Sequence, residues 1–485
     1  FDEFNKIKSG EITEHSLHYR WLDRQHNPVW IDCRGDVILD EFNKPLYLIG
    51  CVNEIGKRQK ADNISGLLRE PSLEEYVSSK SKNNIRGYFM QIGIDDFEEI
   101  NGRFGLKCGD EILKQFSMCM QSCINENQKI YELGNGRFMI MDLVNHSKED
   151  ILELYDELKK SVEVALEENA YRIVYTISVG IVEIDKEIQD YDTLIKYSEF
   201  ALNEAKKKGK NSCYFFTHDK YRQFIRRREI RVELQNAVDH NFKNFDVYYQ
   251  PIIDIHTRNL IGAEALMRFK MKRNEQIEFV SPAEFIPILE ESGLIIPAGR
   301  WILRQAVACC KKWQEFIPKF KMNVNLSYVQ IIKSGILDEI KQALKDYNLK
   351  PALLGIEVTE TGYLENTYHY KKLWSSLKEE GITLILDDYG TGYSNAYRLS
   401  DLTPNYIKID RVLTQKALSS NYERSIFIYI IEMAHSLKLN VCIEGVETEE
   451  ELQEIKKLNP DYIQGYLFGK PAPEDEFYNR QIKKK

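Results

Sequence analysis

The hydrophobic pattern of residues 1–60 predicts strands. Three apolar runs, "SLHYRWL", "VWIDCRGDVIL" and "LYLIGCVNEI", are separated by the turn-prone stretches "RQHNP" and "EFNKP". Runs of this length between Pro and Asn clusters are typical of antiparallel strands joined by short loops. We therefore expect a small antiparallel sheet. A sheet of this size is marginal on its own, so it should pack on the next domain or belong to a larger one.

Residues 61–217 combine two periodicities. Strand-like runs such as "GYFMQIGID" and "RIVYTISVGIVEI" alternate with helical ones such as "GDEILKQFSMCMQSCI" and "ILELYDELKKSVEVALEE". A sheet covered by helices is the arrangement that buries both patterns, so we expect an α+β domain. The charged stretch that follows, residues 218–242, has few apolar positions and predicts a solvated connecting helix.

Residues 243–485 repeat a short β-rich run followed by a longer amphipathic run, as in "WILRQAVACCKKWQEF" and "YHYKKLWSSLKEEG". Repeated strand and helix units over this length predict an α/β fold, a parallel (β/α)8 barrel of the TIM type. The predicted strands end in residues that can bind metal or phosphate. These residues are Glu264, Asn325, Glu357, Asp387, Asp388, Lys408, Glu444 and Gln464.

The carboxyl ends of barrel strands meet at one face, so we expect these side chains to converge. Five carboxylates gathered in one place would repel one another unless cations lay among them. Oxygen ligands with one amide, and neither Cys nor His, suit Mg²⁺ or Mn²⁺ rather than zinc. Two such ions about 3.5–4 Å apart can stabilise both the attacking and the leaving oxygen when a phosphate ester is hydrolysed.

A single acid at a strand end is more often a helix cap or a solvated loop residue than a ligand. Its repetition at the ends of so many consecutive strands favours a site, because capping does not explain it. Lys408 lies between Ile407 and Ile409, and a lysine in a buried strand needs an anionic neighbour. Arg268 follows Glu264 by four residues, on the same face of the strand, and can hold a non-reacting phosphate.

Composition narrows the partners and the location. The chain has 485 residues, which favours two to four domains, and its formal net charge of -9 disfavours a nucleic-acid-binding surface. Nine scattered cysteines without metal spacing fit reduced thiols in a cytoplasm. No apolar run is long enough to cross a membrane. Because the chain starts with Phe rather than Met, we expect a longer protein, and a membrane anchor elsewhere in it stays open.

Nine motifs follow one another between residues 243 and 473: "YYQPI", "EALMR", "PAEFIPILEESGLI", "NVNLS", "EVTE", "DDYGTGYS", "KID", "EGVE" and "QGYLFGKP". The series resembles the EAL family of cyclic-di-GMP phosphodiesterases. The resemblance implies a modified TIM barrel in which two Mg²⁺ or Mn²⁺ ions assist the cleavage of cyclic-di-GMP to linear pGpG. It also implies a homodimer.

The resemblance assigns roles by motif position. It implies that the metal ligands are Glu264, Asn325, Glu357, Asp387, Asp388 and Glu444, with Asp387 as the bridge. Lys408 and Glu444 would handle the attacking water, and which of them is the base stays open. Substrate would contact Gln250, Arg268 and Gln464. Glu360 would stabilise the loop that begins at Asp388.

The chain departs from the family pattern next to two motifs. Val412 and Leu413 follow "KID" where the family has Ser and Phe, and Tyr389, Asn395 and Ala396 differ in the loop. None of these residues is an expected ligand. The departures leave the rate of the reaction and the dimer coupling of this loop open.

Residues 61–217 contain "NISGLLR", "GIDDFEEINGRFGLKCGDEIL", "GNGRF", "ISVGI" and "FALNEAKKKGKN", which resemble the GGDEF family of diguanylate cyclases. That family needs acids for Mg²⁺ where this chain has Gly93, Gly136 and Arg137. Asp95 alone cannot hold two cations on a triphosphate. Asn135 and Gly136 instead predict a two-residue hairpin turn, so we expect no cyclase activity.

Further residues of the cyclase pattern are altered. Asn101 remains as a partner for guanine but is followed by Gly102, and Asn125 and Gln128 occupy the positions of the product-inhibition site. Whether GTP binds here is left open. The strands of residues 1–60 resemble the C-terminal half of a PAS sensor domain, with a generic antiparallel sheet as the alternative.

The expected organisation is a partial PAS-like domain (1–60), a degenerate GGDEF domain (61–217), a connecting helix (218–242) and an EAL phosphodiesterase domain (243–485). The alternative function is a receptor that binds cyclic-di-GMP without cutting it. Such receptors typically lack metal ligands, and all the matched ligands are present here, so we expect hydrolysis in the cytoplasm. Replacing Glu264 or Lys408 with Ala should abolish turnover and leave the fold intact.

Overall fold

A computed structural model of the chain describes residues 6–7, 14–22, 28–40, 44–55, 62, 64–80, 86–144, 146–167, 173–185, 190–273, 275–359, 367–390 and 403–483. The chain divides into two compact units, Phe1–Gln223 and Phe224–Lys485. Among the described helices, none combines the length and the apolar content that crossing a bilayer requires.

The first strands form a separate three-stranded sheet. They are β1 (Glu14–Leu22), β2 (Pro28–Leu39) and β3 (Pro45–Ile55), paired in chain order and antiparallel throughout. This confirms the small antiparallel sheet that the hydrophobic pattern predicts. Its assignment to a PAS domain stays a prediction.

The middle segment is a six-stranded sheet with helices on both faces, in the order β4-β6-β7-β5-β8-β9. Its strands are β4 (Leu68–Arg69), β5 (Gly87–Ile94), β6 (Gln128–Gly134), β7 (Arg137–Asp142), β8 (Ile177–Ile184) and β9 (Cys213–Phe215). Its helices are α1 (Glu70–Lys80), α2 (Phe97–Phe104), α3 (Leu106–Cys123), α4 (Lys148–Glu167) and α5 (Tyr191–Lys207). Consecutive residues of β5, such as Phe89 and Met90, enter separate apolar cores on the two faces.

Helix α6 (His218–Asp239) is not solvated along its whole length, and that expectation was wrong. Ile230, Leu234 and Ala237 are buried among apolar residues of the second unit, while Val232 is exposed. These three residues recur at helical spacing, so they form one narrow apolar stripe. The stripe is hard to see in the sequence because charged residues surround it on every side.

The second unit contains an eight-stranded barrel. Its strands are β10 (Phe245–Asp254), β11 (Leu260–Arg273), β13 (Lys321–Asn325), β14 (Leu354–Thr359), β15 (Thr383–Tyr389), β16 (Tyr406–Ile409), β17 (Asn440–Glu444) and β18 (Tyr462–Gln464). Two short strands, β12 (Gln276–Val280) and β19 (Ala472–Pro473), pair on its edge with β11 and β10. The sheet closes because β10 pairs with both β11 and β18.

Helices surround this barrel. They are α7 (Pro282–Ser292), α8 (Ile295–Trp313), α9 (Tyr328–Lys333), α10 (Ile336–Asp346), α11 (Thr367–Glu379), α12 (Arg411–Ser419), α13 (Asn421–Ser436), α14 (Glu449–Lys456) and α15 (Glu474–Phe477). A 3-10 turn, Pro351–Leu353, precedes β14, and a π-helical turn, Tyr478–Ile482, follows α15. Strand residues such as Val324 and Ile356 pack outward against the helices and form the main core.

The barrel confirms the predicted fold class, but the all-parallel arrangement was wrong for its first strand. β10 runs antiparallel to both of its neighbours in the barrel. The reason is local: β10 and β11 are joined by a short turn at Asp254, and two strands joined so closely can pair only as a hairpin. The antiparallel register places Gln250 opposite Glu264.

Candidate metal centre

The polar residues at the strand ends meet at one mouth of the barrel. Asn325, Glu444 and Gln464 are the last residues of their strands. Glu264 lies within β11, because that strand continues beyond the barrel to pair with β12, but it is near the end of the segment that pairs with β13. Parallel pairing brings Asn325 beside Glu357 and Glu444 beside Gln464.

Lys408 is the centre of this group. The residue is 1% exposed, and its Nζ lies 2.9 Å from Glu264 Oε2 and 3.0 Å from Glu357 Oε2. The same Nζ lies 3.3 Å from Asp387 Oδ1 and 2.6 Å from Glu444 Oε1. The anionic neighbours that the sequence requires for this lysine are therefore four carboxylates from four different strands. We call Glu264, Glu357, Asp387, Asp388 and Glu444 the acidic cluster.

A bulge in β15 brings two consecutive acids to the same site. In a regular strand Asp387 and Asp388 would point to opposite faces. The pairing of β15 with β16 shifts between Leu386 and Tyr389, and Asp388 has a φ of 55°. Carboxylate oxygens of Asp387, Asp388 and Glu444 consequently lie within 4.8 Å of one another. Asp tolerates this left-handed conformation better than most residues, so the local sequence permits the bulge.

Amide side chains surround Glu264. Asn325 Nδ2 donates to its Oε1 at 2.7 Å, and Gln464 Nε2 donates to its Oε2 at 2.8 Å. Gln464 Nε2 also lies 3.1 Å from Gln250 Oε1, so Gln250 reaches the cluster through Gln464. The structure thus brings together all of these sequence-predicted residues.

The pKa values of the buried carboxyl groups are shifted in different directions. Burial and mutual repulsion raise them, whereas Lys408 lowers them. Burial raises the pKa of Glu357 well above its usual value, and nearby Glu264 adds to this, although Lys408 opposes it. The pKa of Asp387 is also raised by burial. Glu264 is the exception: burial raises its pKa, but Lys408, Gln464 and Asn325 outweigh burial and hold it below its usual value.

Two acids closer to the mouth have pKa values within the ordinary range of pH. Burial raises the pKa of Glu444, and Lys408 opposes this. Asp387 and Glu264 raise the pKa further, and the net result is a pKa of about 8. Burial and the neighbouring Asp387 raise the pKa of Asp388 to about 6. The pKa of Lys408 is held well above its usual value, since the surrounding carboxylates outweigh burial. Five carboxyl groups share one ammonium group, and the raised pKa values of four of them reflect burial and this deficit of positive charge.

The donor set fits divalent cations. One group of carboxylate oxygens within 4.8 Å of one another comes from Glu264, Glu357 and Asp387, and a second from Asp387, Asp388 and Glu444. Asp387 belongs to both, and its Oδ1 is buried without a hydrogen bond of good geometry among the described residues. All the donors are oxygen atoms, which hard cations such as Mg²⁺ and Mn²⁺ prefer.

The metal-free chain should lose stability as the pH rises from about 4, the usual pKa of a carboxyl group, to about 8. The folded-state pKa values of Glu444 and Asp388 are raised to about 8 and about 6. A raised carboxyl pKa contributes stability at low pH that is lost as the pH rises through the folded-state value. Denaturant midpoints measured in EDTA should therefore fall over this range. With Mn²⁺ present the fall should be smaller, and a midpoint that rises in EDTA would contradict the assignment.

Arg268 lies on the same face of β11 as Glu264 and is half-buried. Its guanidinium carbon is 5.5 Å from the centre of the Tyr248 ring, and its Nη1 donates to Met267 O at 2.9 Å. Burial lowers its pKa, with Glu264 opposing this. The side chain is thus placed at the mouth, where an anion of the substrate could bind.

Some of the expected residues cannot be placed. Glu360, and the loop positions Asn395 and Ala396, lie outside the described residues. Val412 is exposed on α12, and Leu413 packs near Gly390, where an added Cβ would meet Leu413 at 2.7 Å. Neither of these two residues belongs to the acidic cluster.

Sequence reasoning missed two polar residues beneath the cluster, Asn323 and Tyr406. Asn323 Nδ2 donates to Glu357 Oε1 at 2.8 Å and also to the Tyr406 hydroxyl. The available signal was the two-residue alternation of β13, which puts Asn323 on the same face as Asn325. Tyr406 gives no such signal, because an aromatic residue at the start of a strand is typical of any core.

In the middle domain Asn135 and Gly136 form the predicted hairpin turn. Arg137 pairs with Gly134 in the β6–β7 register, which leaves a loop of two residues. Asn135 has a φ of 53° and Gly136 a φ of 70°, as a type I′ turn requires. Arg137 itself forms an ion pair with Glu199 at 3.1 Å.

Asp95 is held by hydrogen bonds within the middle domain. Its Oδ1 accepts from Ser178 Oγ at 2.7 Å, and its Oδ2 accepts from Thr176 Oγ1 at 2.7 Å and from Asn211 N at 3.2 Å. These donors occupy three of the about four acceptor positions of the carboxylate, so a cation would have to compete with them. Gly93 is packed closely, since an added Cβ would lie 3.2 Å from Lys206 Nζ.

Two family models match the chain. The EAL domain matches residues 231–471, and the diguanylate cyclase GGDEF domain matches residues 60–212. The chain carries a GGDEF domain followed by an EAL domain. This confirms both resemblances as domain assignments.

The GGDEF–EAL chain is similar to several curated proteins. It is 30% identical over 391 residues to the signaling protein YkoW of Bacillus subtilis, which covers 80% of this chain and 48% of that protein. It is 25% identical over 420 residues to the bifunctional diguanylate cyclase/cyclic di-GMP phosphodiesterase MucR of Pseudomonas aeruginosa (86% and 60%). It is 27% identical over 470 residues to the cyclic di-GMP phosphodiesterase PdeR of Escherichia coli (94% and 68%). The chain spans about half the length of the first two relatives.

Among solved structures, the EAL enzyme Bd1971 bound to cAMP and cyclic-di-GMP matches with a TM-score of 0.50 and 23% identity. The match covers 70% of this chain and 82% of that one. At this level of identity the likeness supports the fold of the GGDEF–EAL chain.

Proposed function

We propose that the EAL domain of this chain hydrolyses cyclic-di-GMP to linear pGpG with two Mg²⁺ or Mn²⁺ ions. The observation that carries the proposal is that Asp387 belongs to both groups of converging carboxylates at the barrel mouth. An acid shared by two cation sites is the arrangement of a two-metal phosphoesterase. The phosphodiesterases MucR and PdeR, which this chain resembles, add support from outside the structure.

In this mechanism the ions would be held by Glu264, Asn325, Glu357, Asp387, Asp388 and Glu444. When bound, they supply charge that stabilises the attacking and leaving oxygens. Water adds to phosphorus, the bond from phosphorus to the ribose 3′ oxygen breaks, and that oxygen leaves with a proton. Arg268, Gln250 and Gln464 bind and orient the dinucleotide, with Arg268 on the phosphate that does not react.

We assign Glu444 as the group that accepts the proton of the attacking water, because its side chain is the most exposed of the four acids that contact Lys408. A base must be unprotonated in part near neutral pH, and the Lys408 ammonium group, 2.6 Å from Glu444 Oε1, favours the carboxylate form of Glu444. Lys408 keeps its proton because its pKa is held above the usual lysine value. Lys408 is therefore assigned to orienting the water and the carboxylates as a hydrogen-bond donor.

The test is incubation of the purified chain with cyclic-di-GMP and Mn²⁺ or Mg²⁺, followed by chromatography of the nucleotides. Formation of pGpG that stops in EDTA is the expected result. Intact dinucleotide after long incubation, together with tight binding, would overturn the proposed hydrolysis and favour a receptor that binds cyclic-di-GMP without cutting it. We also propose the domain limits given above, a homodimer, a cytoplasmic location, and regulation of the EAL domain by the two preceding domains.

GTP supplied to the whole chain should give no cyclic dinucleotide. The middle domain has Gly93, Gly136 and Arg137 at the positions for metal-binding acids, and Asp95 is occupied by three hydrogen bonds. Chromatography after incubation with GTP and Mg²⁺ checks this. A cyclic product would overturn our proposal that this domain is not a cyclase, whereas GTP binding without product would leave it standing.

A further inference from the structure

Beneath the acidic cluster, two buried polar residues contact one of its members. Asn323 on β13 is 2% exposed and Tyr406 on β16 is 5% exposed. Asn323 Nδ2 donates to Glu357 Oε1 at 2.8 Å and to the Tyr406 hydroxyl. The two N–H groups of one amide can serve both acceptors, so Asn323 links Tyr406 to Glu357.

These contacts determine how Glu357 is oriented. Its Oε1 faces Asn323, and its Oε2 lies 3.0 Å from Lys408 Nζ. Rotation of the carboxylate would break one of the two contacts. Glu357 itself is completely buried, so a broken hydrogen bond could not be replaced by water at that position. The carboxylate is therefore fixed with Oε2 on the Lys408 side of the cluster.

The surrounding backbone leaves space for this amide. Gly355 lies opposite Asn323 in the register of β13 and β14. A Cβ at Gly355 would lie 2.3 Å from Asn323 Oδ1, so any other residue there would displace the amide. On the other side, the Tyr406 ring packs edge-on against Tyr462 with the ring centres 5.7 Å apart. The position of Asn323 is thus restricted by Gly355 and by Tyr406.

We propose that Asn323 and Tyr406 are a positioning pair that sets the metal affinity of the site at Glu357. The pair fixes which carboxylate oxygen Glu357 presents to a cation. This inference rests on the proposed metal-dependent function of the cluster. Hydrogen-bond partners of metal ligands commonly change metal affinity by about 10–100-fold when they are removed.

A purely structural role makes a different prediction. If the pair did no more than fill the barrel interior, its loss would change the stability of the metal-free chain and leave metal affinity unchanged. Tyr406→Phe separates the two roles, because it removes the hydroxyl and keeps the ring. Tyr462→Phe is the matched control, because it removes a hydroxyl group from the neighbouring ring. That hydroxyl group accepts from Asn440 Nδ2 at 3.4 Å.

The experiment is Mn²⁺ titration by calorimetry on the full chain and on the variants Tyr406→Phe, Asn323→Ala and Tyr462→Phe. Thermal unfolding in EDTA is measured on the same samples. We expect about 10–100-fold weaker Mn²⁺ binding for Tyr406→Phe and Asn323→Ala, and wild-type binding for Tyr462→Phe. Activity of the two weakened variants should recover in part when Mn²⁺ is raised.

Wild-type Mn²⁺ affinity in Tyr406→Phe would overturn the inference, even if Asn323→Ala proved too unstable to titrate. An equal loss in Tyr462→Phe would also overturn it, since the effect would then be general to the barrel interior. Cyclic-di-GMP hydrolysis is assayed with the wild-type chain in parallel. If the wild-type chain binds Mn²⁺ but does not hydrolyse cyclic-di-GMP, the proposed function is wrong, and the comparison of Mn²⁺ affinities among the variants stays valid.

Discussion

Replacing Lys408 with Met should nearly abolish hydrolysis of cyclic-di-GMP and also destabilise the metal-free protein. Lys408 Nζ lies between 2.6 and 3.3 Å from carboxylate oxygens on four strands. Removing one partner of a buried ion pair costs about 3–5 kcal/mol, because the remaining charge has no compensation. The free energy of unfolding in EDTA should fall by about this amount. Hydrolysis should fall by about 10²–10³-fold, as is typical for the loss of one preorganised hydrogen-bond donor.

The instability of this variant should depend on pH and on metal. Without the ammonium group the remaining carboxyl groups have higher folded-state pKa values, so stability is lost as the pH rises through those values. Denaturant unfolding at about pH 6 and about pH 9 should show the larger deficit at the higher pH. Mn²⁺ should reduce the deficit, because it supplies positive charge to the same oxygens.

Lys321→Met is the control for the Lys408 variant. Lys321 is the half-buried first residue of β13, and burial lowers its pKa. No described carboxylate forms an ion pair with it, so its loss should leave stability and hydrolysis nearly unchanged. A Lys408→Met variant as stable in EDTA as Lys321→Met would show that the ammonium group does not stabilise the cluster, and wild-type turnover would show that hydrolysis does not need it.

The Lys408 case shows what the sequence could predict and what it could not. Its position between Ile407 and Ile409 is enough to require anionic neighbours. The barrel rule is enough to expect them at the strand ends. The sequence-based expectation that Lys408→Ala leaves the fold intact is revised, because a single strand cannot show that four carboxylates depend on one cation.

Other features depend on pairing that no local pattern encodes. β10 looks like the other strands in sequence, and its antiparallel direction follows from the short turn at Asp254. Asp387 and Asp388 look like alternating residues, and the bulge that directs both to the site appears in the register with β16. The link between Asn323 and Tyr406 joins residues that are 83 positions apart in the chain. Long-range contacts of this kind need the folded barrel.

Asp387→Asn should have the largest effect among substitutions that preserve shape. Asp387 is the acid that both groups of converging oxygens share. Asn keeps the size of the side chain and removes the negative charge that would bridge two cations. Metal ions supply several kcal/mol of transition-state stabilisation, and about 1.4 kcal/mol corresponds to tenfold in rate. Hydrolysis should therefore fall by about 10³-fold, and Mn²⁺ stoichiometry by calorimetry should fall below two.

Two further Asp→Asn variants make this prediction specific. Asp388 belongs to one of the two groups, so Asp388→Asn should keep the cation held by Glu264, Glu357 and Asp387 and bind one Mn²⁺ ion. Asp254 is the last residue of β10 and pairs with Tyr462 at the start of β18, so it lies at the end of the barrel away from the acidic cluster. Its Oδ1 accepts from the Thr257 backbone N–H at 2.8 Å. An Asn oxygen can accept the same hydrogen bond, so Asp254→Asn should behave as wild type. If Asp387→Asn still bound two ions, the shared carboxylate would not be a bridge, and the two-metal arrangement would need a different ligand at its centre.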